Sequence, residues 1–288
     1  MAAQLLRIDD ISFRLWKNTR GSKNPPRGYL WINHGLGEHS GRYESLAEFM
    51  TTFGWDVLAP DQPGHGLTKG FKTHAKLLAP DETLKIFNGL MPKLLQTPEV
   101  GEGSYFLKAP KILCGHSMGA LLSALWLCAE NPPMEGFEWK SAFLAAPPIR
   151  LRMKVPAWKL ALATGLEKIA PDLIIGNEID TAFLSIDAAN RAEYDADPLV
   201  HGNASPRLFW GIRRGADRVM ARARMIEVPL CLAVAKHDPV VEADAVREFF
   251  DRVNTHKKYL EFPISKHEIF NDVEKKLVYD AFLKWCSQ

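Results

Sequence analysis

Short apolar runs separated by polar turns recur along most of this chain. Each run is rich in aliphatic or β-branched residues and ends in a turn that contains Gly, Pro, His or Asp; the runs are residues 28–33, 55–60, 111–114, 141–145, 229–235 and 258–263. Residues with helical spacing lie between several of them, at 43–52, 84–95, 120–130 and 243–253. Continuous apolar strands that alternate with helices are typical of a parallel sheet with helices on both faces. The pattern therefore predicts an α/β fold, with reactive groups at the carboxyl ends of the strands.

Two segments depart from this pattern. Residues 5–17 alternate between apolar and polar positions, which predicts a hairpin at the edge of the sheet. Residues 148–224 contain no strand-like run but hold amphipathic stretches, so they form either a helical insertion or a separate all-helical domain. Because the strand pattern resumes afterwards, we expect an insertion. The predicted organisation is a core of residues 1–147 and 225–288, with residues 148–224 as a helical cap.

The composition of the chain excludes several classes of protein. With 47% hydrophobic and 24% charged residues, the chain resembles an average globular protein and is not disordered. A net charge of +2 is too small for a protein that binds nucleic acid by neutralising phosphates. The four cysteines show no C-x-x-C spacing and indicate neither a disulfide framework nor a zinc site. Without a recognisable signal sequence or an apolar stretch near the roughly 20 residues that span a bilayer, we expect a soluble, cytoplasmic protein. Its oligomeric state stays open.

The pentapeptide Gly-His-Ser-Met-Gly at residues 115–119 lies between a predicted strand and a predicted helix. A serine flanked by glycines two residues away, on such a turn, is the signature of a nucleophile elbow. Larger residues at 115 and 119 would clash with the neighbouring strand and helix, and the positive end of the helix favours developing negative charge. The alternative is a serine that only caps the helix. The strand–turn–helix context favours Ser117 as the nucleophile.

A serine nucleophile needs a general base, and the base needs an acid that orients it. In this arrangement the chain order is serine, acid, histidine. Asp238 follows one predicted strand and His267 follows the next, which matches that order. His237 adjoins the acid on the same turn, and His256 precedes its strand at the wrong end of the sheet. The competing acids are Asp244 and Asp251, on the next helix, and Asp272, after the histidine.

An oxyanion hole needs two backbone N–H groups that point at the tetrahedral oxygen. Met118, the residue after the nucleophile, supplies one of them. The segment HGLGEHSGRY, residues 34–43, follows a predicted strand and supplies the other, which we assign to Leu36. Glycines at 35 and 37 allow the backbone to approach the substrate closely. The turn DQPGHG at residues 61–66 is expected to support these loops without a chemical role.

Five segments in this order resemble the monoacylglycerol lipase and lysophospholipase group of α/β-hydrolases: HGLGEHSGRY, PDQPGHG, GHSMG, KHDPVV and KHEIFND. Residues 184–202 are similar to the cap-to-core stretch of bacterial lysophospholipase-like members. The resemblance implies an α/β-hydrolase fold, with a mostly parallel central sheet flanked by helices and a helical cap insertion. It implies hydrolysis of monoacylglycerol or lysophospholipid esters through an acyl-enzyme, with no metal or cofactor. Ala120 and Thr68 depart from the usual Gly and Ser, both as small-for-small changes.

Two expectations concern the substrate pocket. Glu38 and Arg42, beside the predicted oxyanion loop, are expected to contact a glycerol-like head group; a salt bridge or hydrogen bonds within the loop are the alternative. An apolar face that includes Trp158, Leu162 and Leu166 either lines an acyl channel or simply packs.

Residues 206–224 are strongly basic, with six arginines against one acid. They predict either a weak electrostatic contact with an anionic membrane surface or a solvated helix face paired with acids of the core. The arginines are Arg207, Arg213, Arg214, Arg218, Arg222 and Arg224.

Three other functions fit the same motifs. They are a carboxylesterase or thioesterase for small soluble esters, a proline-type aminopeptidase, and a non-catalytic binding protein on a hydrolase fold. The aminopeptidase needs an acidic group for the free amine of its substrate, and Glu38, Glu178 and Asp180 are the candidates.

Overall fold

The apolar runs of the sequence pair side by side in one sheet. The computed structural model describes residues 2–20, 25–68, 76–101, 103–130, 132–152, 155–177 and 179–288. Its strands are β1 (Gln4–Ile8), β2 (Ile11–Trp16), β3 (Gly28–Asn33), β4 (Trp55–Pro60), β5 (Lys111–His116), β6 (Ser141–Ala145), β7 (Ile175–Gly176), β8 (Asn203–Ala204), β9 (Leu230–Ala235) and β10 (Lys257–Phe262). Among the described residues, eight of these strands form a sheet in the order β1-β2-β4-β3-β5-β6-β9-β10.

The sheet is parallel from β4 to β10, and only the amino-terminal hairpin breaks this direction. β1 pairs with β2 and β2 with β4 in antiparallel register, as predicted for residues 5–17. β3, β4, β5, β6 and β9 are buried along their whole length. Burial on both faces explains why these strands read as continuous apolar runs, without alternation.

Helices cover both faces of the sheet. They are α1 (Glu44–Thr52), α2 (Pro80–Leu94), α3 (Gly103–Lys108), α4 (Met118–Leu127), α5 (Ala157–Ile169), α6 (Ala188–Ala196), α7 (Pro206–Arg222), α8 (Ala243–Arg252) and α9 (Lys275–Cys286). One core layer joins the sheet to α2, α4 and α8, and includes Trp31, Phe87 and Trp126. The other joins it to α1 and α9, and includes Met50 and Phe282. The sheet therefore lies between two apolar layers.

The segment between β6 and β9 is mainly helical. It holds α5, α6 and α7, together with a two-residue antiparallel ladder between β7 and β8 that the sequence pattern did not predict. Arg207 of α7 binds Glu82 of α2 at 2.8 Å, and Gly211 of α7 leaves no room for a Cβ beside Ala79. These contacts hold α7 against the layer formed by α2. The exact division of the chain into core and cap stays a prediction.

No helix within the described ranges is both long enough and apolar enough to cross a membrane.

Candidate active site

Ser117 lies on the sharp turn between β5 and α4. Its backbone φ of 50° and ψ of −122° are unusual for a residue other than glycine, so the turn is strained. The Ser117 N–H donates to the carbonyl oxygen of Ala145 on the neighbouring strand at 2.8 Å. A Cβ at Gly115 would lie 2.5 Å from the carbonyl oxygen of Gly119, and a Cβ at Gly119 would overlap the carbonyl oxygens at the end of β3. Both glycines are therefore required sterically, as the pentapeptide predicts.

The fold brings the predicted nucleophile, base and acid together from three separate loops. Nε2 of His267 lies 2.9 Å from Oγ of Ser117, and Nδ1 of His267 lies 2.8 Å from Oδ2 of Asp238. Because an ionised carboxylate only accepts hydrogen bonds, Nδ1 donates to Asp238. Nε2 is then free to accept the Ser117 hydroxyl proton. This geometry allows the imidazole to act as a general base.

Asp238 is built to stay ionised although only 1% of it is exposed. Its Oδ1 accepts hydrogen bonds from the N–H groups of Val240 and Val241, at 2.8 and 3.0 Å. Burial by itself raises the pKa of the Asp238 carboxyl, but the charge and hydrogen bond of His267 and these two N–H groups outweigh it. The pKa of Asp238 therefore lies below its ordinary value.

The alternative histidines and acids lie elsewhere. His237 is exposed, and His256 stacks on Trp285 with ring centroids 5.6 Å apart. Asp244 and Asp251 belong to α8. Asp272 is buried but accepts hydrogen bonds from other groups.

The two predicted oxyanion donors flank the serine. Met118 is the first residue of α4, and Gly35, which precedes Leu36, lies so close that a Cβ there would be 3.3 Å from Cβ of Ser117. Within the part of the chain that the structure describes, neither the Leu36 nor the Met118 backbone N–H donates a hydrogen bond to another residue. Both N–H groups are therefore available to a ligand beside Ser117.

The side chains of the same two residues belong to a small apolar cluster. Met118 packs with Leu77 and with Leu208 of α7, and the partly buried Leu36 and Ile212 complete the group. The residue after Ser117 is thus packed against hydrocarbon from the core and from α7.

Glu38 and Arg42 occupy a buried ionic network. Glu38 is 2% exposed, and its Oε1 accepts hydrogen bonds from the Gly35 N–H at 2.6 Å and the Tyr43 hydroxyl at 2.8 Å. Nη2 of Arg42 binds Oε2 of Glu268 at 2.7 Å. The geometry agrees with the predicted alternative, hydrogen bonds and ion pairs inside the protein, more than with the expected head-group contact. A substrate would have to displace these partners to reach either side chain.

His116, to which the sequence pattern assigned no role, links this network to the base. Its Nδ1 lies 3.1 Å from Oε1 of Glu38, and its Nε2 donates to the backbone carbonyl oxygen of His267 at 3.1 Å. Burial lowers the pKa of His116, but its hydrogen bond to Glu38 and the charge of Glu38 outweigh burial, so the pKa is raised. Burial raises the pKa of Glu38, yet His116 and Arg42 hold it well below its ordinary range. In the sequence, only the position of His116 directly before Ser117 indicated that it could have a role at the site.

The DQPGHG turn supports the oxyanion loop. The Gln62 N–H donates to Nε2 of His34 at 2.9 Å, and the Gln62 amide donates to the His34 carbonyl oxygen at 2.5 Å. Asp61 is fully buried and accepts from the Ser40 N–H at 2.8 Å. These hydrogen bonds hold the oxyanion loop at both His34 and Ser40.

The apolar face of α5 points mainly to solvent. Trp158 and Leu162 are 65% and 53% exposed and point to solvent. Leu166, the third residue of this face, is half-buried, and the acyl channel stays a prediction.

Comparisons with known proteins identify the family of this chain. The profile of the family described as serine aminopeptidase, S33, matches residues 24–274. A monoacylglycerol lipase from Mycolicibacterium smegmatis is 30% identical over 265 residues, which are 90% of this chain and 88% of that protein. The phospholipase YtpA from Bacillus subtilis is 29% identical over 281 residues, 95% of this chain and 98% of that protein.

Two further comparisons concern overall length and fold. An uncharacterized abhydrolase domain-containing protein from Dictyostelium discoideum is 28% identical over 282 residues, but the match covers only 28% of that protein and 97% of this chain. The crystal structure of Paleococcus ferrophilus monoacylglycerol lipase superimposes with a TM-score of 0.80 at 27% identity, covering 98% of both chains. The chain therefore belongs to the serine aminopeptidase S33 family of α/β-hydrolases, is monoacylglycerol lipase-like, and is a serine hydrolase of carboxylic esters.

Proposed function

We propose that the protein hydrolyses monoacyl lipid esters, of the monoacylglycerol or lysophospholipid type, through an acyl-enzyme on Ser117. His267 removes the Ser117 proton as the hydroxyl attacks the ester carbonyl, and Asp238 holds the imidazole in the required tautomer. The N–H groups of Leu36 and Met118 bind the oxyanion. His267 then donates its proton to the leaving alcohol, and activates the water that releases the fatty acid.

The apolar cluster beside Ser117 is the observation that carries the substrate class. Leu77, Met118 and Leu208 are each less than 5% exposed and form an apolar cluster that includes the residue after Ser117, so we assign the acyl part of the ester to this cluster. An acyl chain that enters this cluster buries methylene groups, each of which contributes about 0.8 kcal/mol. The relatives named monoacylglycerol lipase and phospholipase support the same class.

The aminopeptidase alternative has less support from the acidic side chains. Glu38 is engaged with Gly35, Tyr43 and His116. Asp180 is exposed and caps a short 3-10 helix through the Ala182 N–H. Glu178 lies outside the described residues. Since the chain is an ester hydrolase, the non-catalytic alternative is not retained, while a carboxylesterase or thioesterase for small soluble substrates is the second candidate.

A substrate panel tests the proposal. The purified protein is assayed with monoacylglycerols, lysophospholipids, short p-nitrophenyl esters, acyl thioesters and proline amides, and Ser117→Ala is the control for each. We expect kcat/KM to be highest for a long-chain monoacyl lipid and to fall for short soluble esters. A preference for short esters or proline amides would contradict the proposed substrate class. A fluorophosphonate that labels the Ser117→Ala variant as fast as the wild type would contradict the proposed nucleophile.

We further propose that the exposed face of α5 contacts the lipid phase that holds the substrate. Trp158, Leu162 and Ile169 lie on one side of this helix, and Ile169 is 81% exposed. Leu173 and Ile175, which follow the helix, are 47% and 43% exposed. Several large apolar side chains that are exposed within one short stretch of chain are typical of a surface that meets a membrane or a partner. A lipid surface fits a hydrolase of lipid esters best, since contact raises the local substrate concentration.

The arginines of α7 contribute less to such contact than the sequence suggests. Arg207 binds Asp172 at 2.7 Å, Arg214 binds Glu167 at 2.7 Å, and Arg222 binds Glu130 at 3.1 Å. These pairs agree with the alternative in which the basic face is matched by acids of the protein. The lipid contact we propose is therefore mainly apolar.

Vesicle binding tests this contact. We expect Leu162→Ser with Ile169→Ser to weaken co-sedimentation with phosphatidylcholine vesicles and activity on vesicle-borne substrate, without changing kcat/KM for a small soluble ester. Leu277→Ser is the matched control, because the exposure of Leu277, 60%, lies between those of Leu162 and Ile169, and Leu277 is on α9. Equal effects on both substrates, or an equal effect of the α9 control, would contradict a lipid-binding role for α5.

A further inference from the structure

Asp272 is a fully buried carboxylate surrounded by hydrogen-bond donors. Oδ1 accepts from the Ser185 hydroxyl at 2.7 Å and the Val273 N–H at 2.9 Å, and Oδ2 accepts from the Lys266 N–H at 2.7 Å. The N–H groups of Ile186 and Asp187 lie at 3.1 and 3.2 Å from Oδ1. Burial raises the pKa of Asp272, but these hydrogen bonds, led by the Lys266 N–H, outweigh it, and the pKa is lowered.

These donors come from two parts of the chain that are far apart in sequence. Lys266 and Val273 belong to the loop that carries His267, whereas residues 185–187 belong to the helical segment between β6 and β9. Asp272 therefore joins the loop of the base to the predicted cap. Because residue 272 lies after the histidine in the sequence, the order serine, acid, histidine leaves it without a chemical role.

His267 lies between two backbone anchors. The N–H of Lys266, on one side, is bound by Asp272. The N–H of Glu268, on the other side, donates to the carbonyl oxygen of Leu184 at 2.9 Å, and the Lys266 ammonium group binds the carbonyl oxygen of Ala182. The two residues next to the histidine, Lys266 and Glu268, are thus held by Asp272 or by residues 182–184.

We propose that Asp272 is a positioning residue that keeps His267 in hydrogen-bond reach of Ser117 by fixing its loop to residues 185–187. The proposal rests on the proposed function, in which His267 is the general base. A general base contributes about 10²- to 10⁴-fold to the rate, and a displacement of about 1 Å can remove about 10²-fold.

Asp272→Asn tests this role with a minimal change of shape. Every partner of the carboxylate is a donor, so an amide NH₂ in either orientation faces at least one N–H or O–H and breaks that anchor. We expect kcat for a small soluble ester to fall at least about tenfold while KM changes less than about twofold. The rate of fluorophosphonate labelling of Ser117 should fall in parallel, because it requires the same activated hydroxyl. Thermal unfolding identifies a temperature at which the variant is fully folded.

Asp187→Asn is the matched control. Asp187 lies in the same segment and caps α6 by accepting the Ala189 N–H, a role that asparagine also performs. Ser185→Ala, which removes only the hydroxyl donor, should cause a smaller loss of kcat in the same direction. If Asp272→Asn does not fold, the kcat of Ser185→Ala tests the positioning role instead. The proposal would be overturned if the folded Asp272→Asn variant kept the wild-type kcat. If only Ser185→Ala folds, a wild-type kcat in that variant would overturn it. An equal loss of kcat in Asp187→Asn would also overturn it. Failure of the wild type to be labelled at Ser117 would instead overturn the proposed function.

Discussion

Nε2 of His116 lies 3.1 Å from the backbone carbonyl oxygen of His267, so the residue before the proposed nucleophile holds the backbone of the proposed base. The other ring nitrogen of His116 faces Glu38, which also accepts the N–H of Gly35 in the oxyanion loop. One buried ion pair therefore connects the loop of the oxyanion donor to the loop of the base. Glu38, the carboxylate of this pair, is the residue that the sequence analysis expected to contact the substrate.

Breaking this ion pair should affect stability and rate together. Glu38→Gln removes the buried carboxylate that faces His116, whereas Arg42 keeps Glu268 as its partner. We expect a loss of about 3–5 kcal/mol in the free energy of unfolding, with a lower kcat. Denaturant unfolding and steady-state assays measure the two effects. Glu44→Gln, an exposed neighbour at the start of α1, should stay within about 0.5 kcal/mol of the wild type. Unchanged unfolding in Glu38→Gln would contradict the network as a stabilising element.

Serine and histidine should act as a unit in catalysis. We expect Ser117→Ala to lower kcat by about 10³-fold or more, and His267→Ala to be comparably damaging. The double variant should cost little more than either single one, because each change removes the same step. Steady-state kinetics with one soluble ester measures all three. Additive losses would contradict the pairing, and His237→Ala, on an exposed turn, should retain wild-type kcat.

Gly119 should tolerate no side chain. The Cβ of Gly119→Ala would overlap the carbonyl oxygens of Asn33 and His34, so α4 or the oxyanion loop must shift. We expect at least about a tenfold loss of kcat, because displaced oxyanion donors lose transition-state stabilisation. Gly165→Ala is the matched control: nothing lies within 4 Å of its added Cβ on α5, and it should stabilise the helix by up to about 1 kcal/mol. A wild-type kcat in Gly119→Ala would contradict a steric requirement for glycine at this position.

The protein should lose stability in mild acid. His34, His65 and His201 lie in a row, with ring centroids 5.1 and 4.8 Å apart, and burial lowers the pKa of each. Below about pH 6.5 the unfolded chain binds protons that the folded rings exclude. The free energy of unfolding should therefore be highest above pH 6.5 and fall as the pH decreases, by at most about 1.4 kcal/mol per pH unit for each ring.

His201→Gln should reduce this slope, since it removes one of the three rings, whereas His237→Gln should leave it unchanged because that ring is exposed. The ionic contacts of Glu38 do not cause this decrease in the free energy of unfolding between pH 7 and pH 5. The raised pKa of His116 stabilises the folded state fully below about pH 6.5 and less at higher pH, and the lowered pKa of Glu38 acts only below about pH 4.5. Denaturant unfolding at pH 7, 6 and 5 measures the slope. A flat profile would contradict burial of neutral histidines.

Features with a local physical cause could be predicted from the sequence. The strands at residues 28–33, 55–60 and 141–145 agree with the structure to the residue, because strands buried on both faces must be apolar throughout. The elbow at Ser117 follows from glycines that only a tight turn between strand and helix requires. Placing Asp238 and His267 beside it needed only the chain order and the rule that parallel strands end at one edge.

Partners distant in sequence were decided by the tertiary structure alone. Arg42 is joined to Glu268 across 226 residues, and Asp272 to Ser185 across 87, and no local pattern encodes either distance. Likewise, the apolar face with Trp158 looks the same in sequence whether it lines a channel or faces solvent. Hydrophobic periodicity determines which residues share a face, but which surface covers that face depends on the packing of the whole chain.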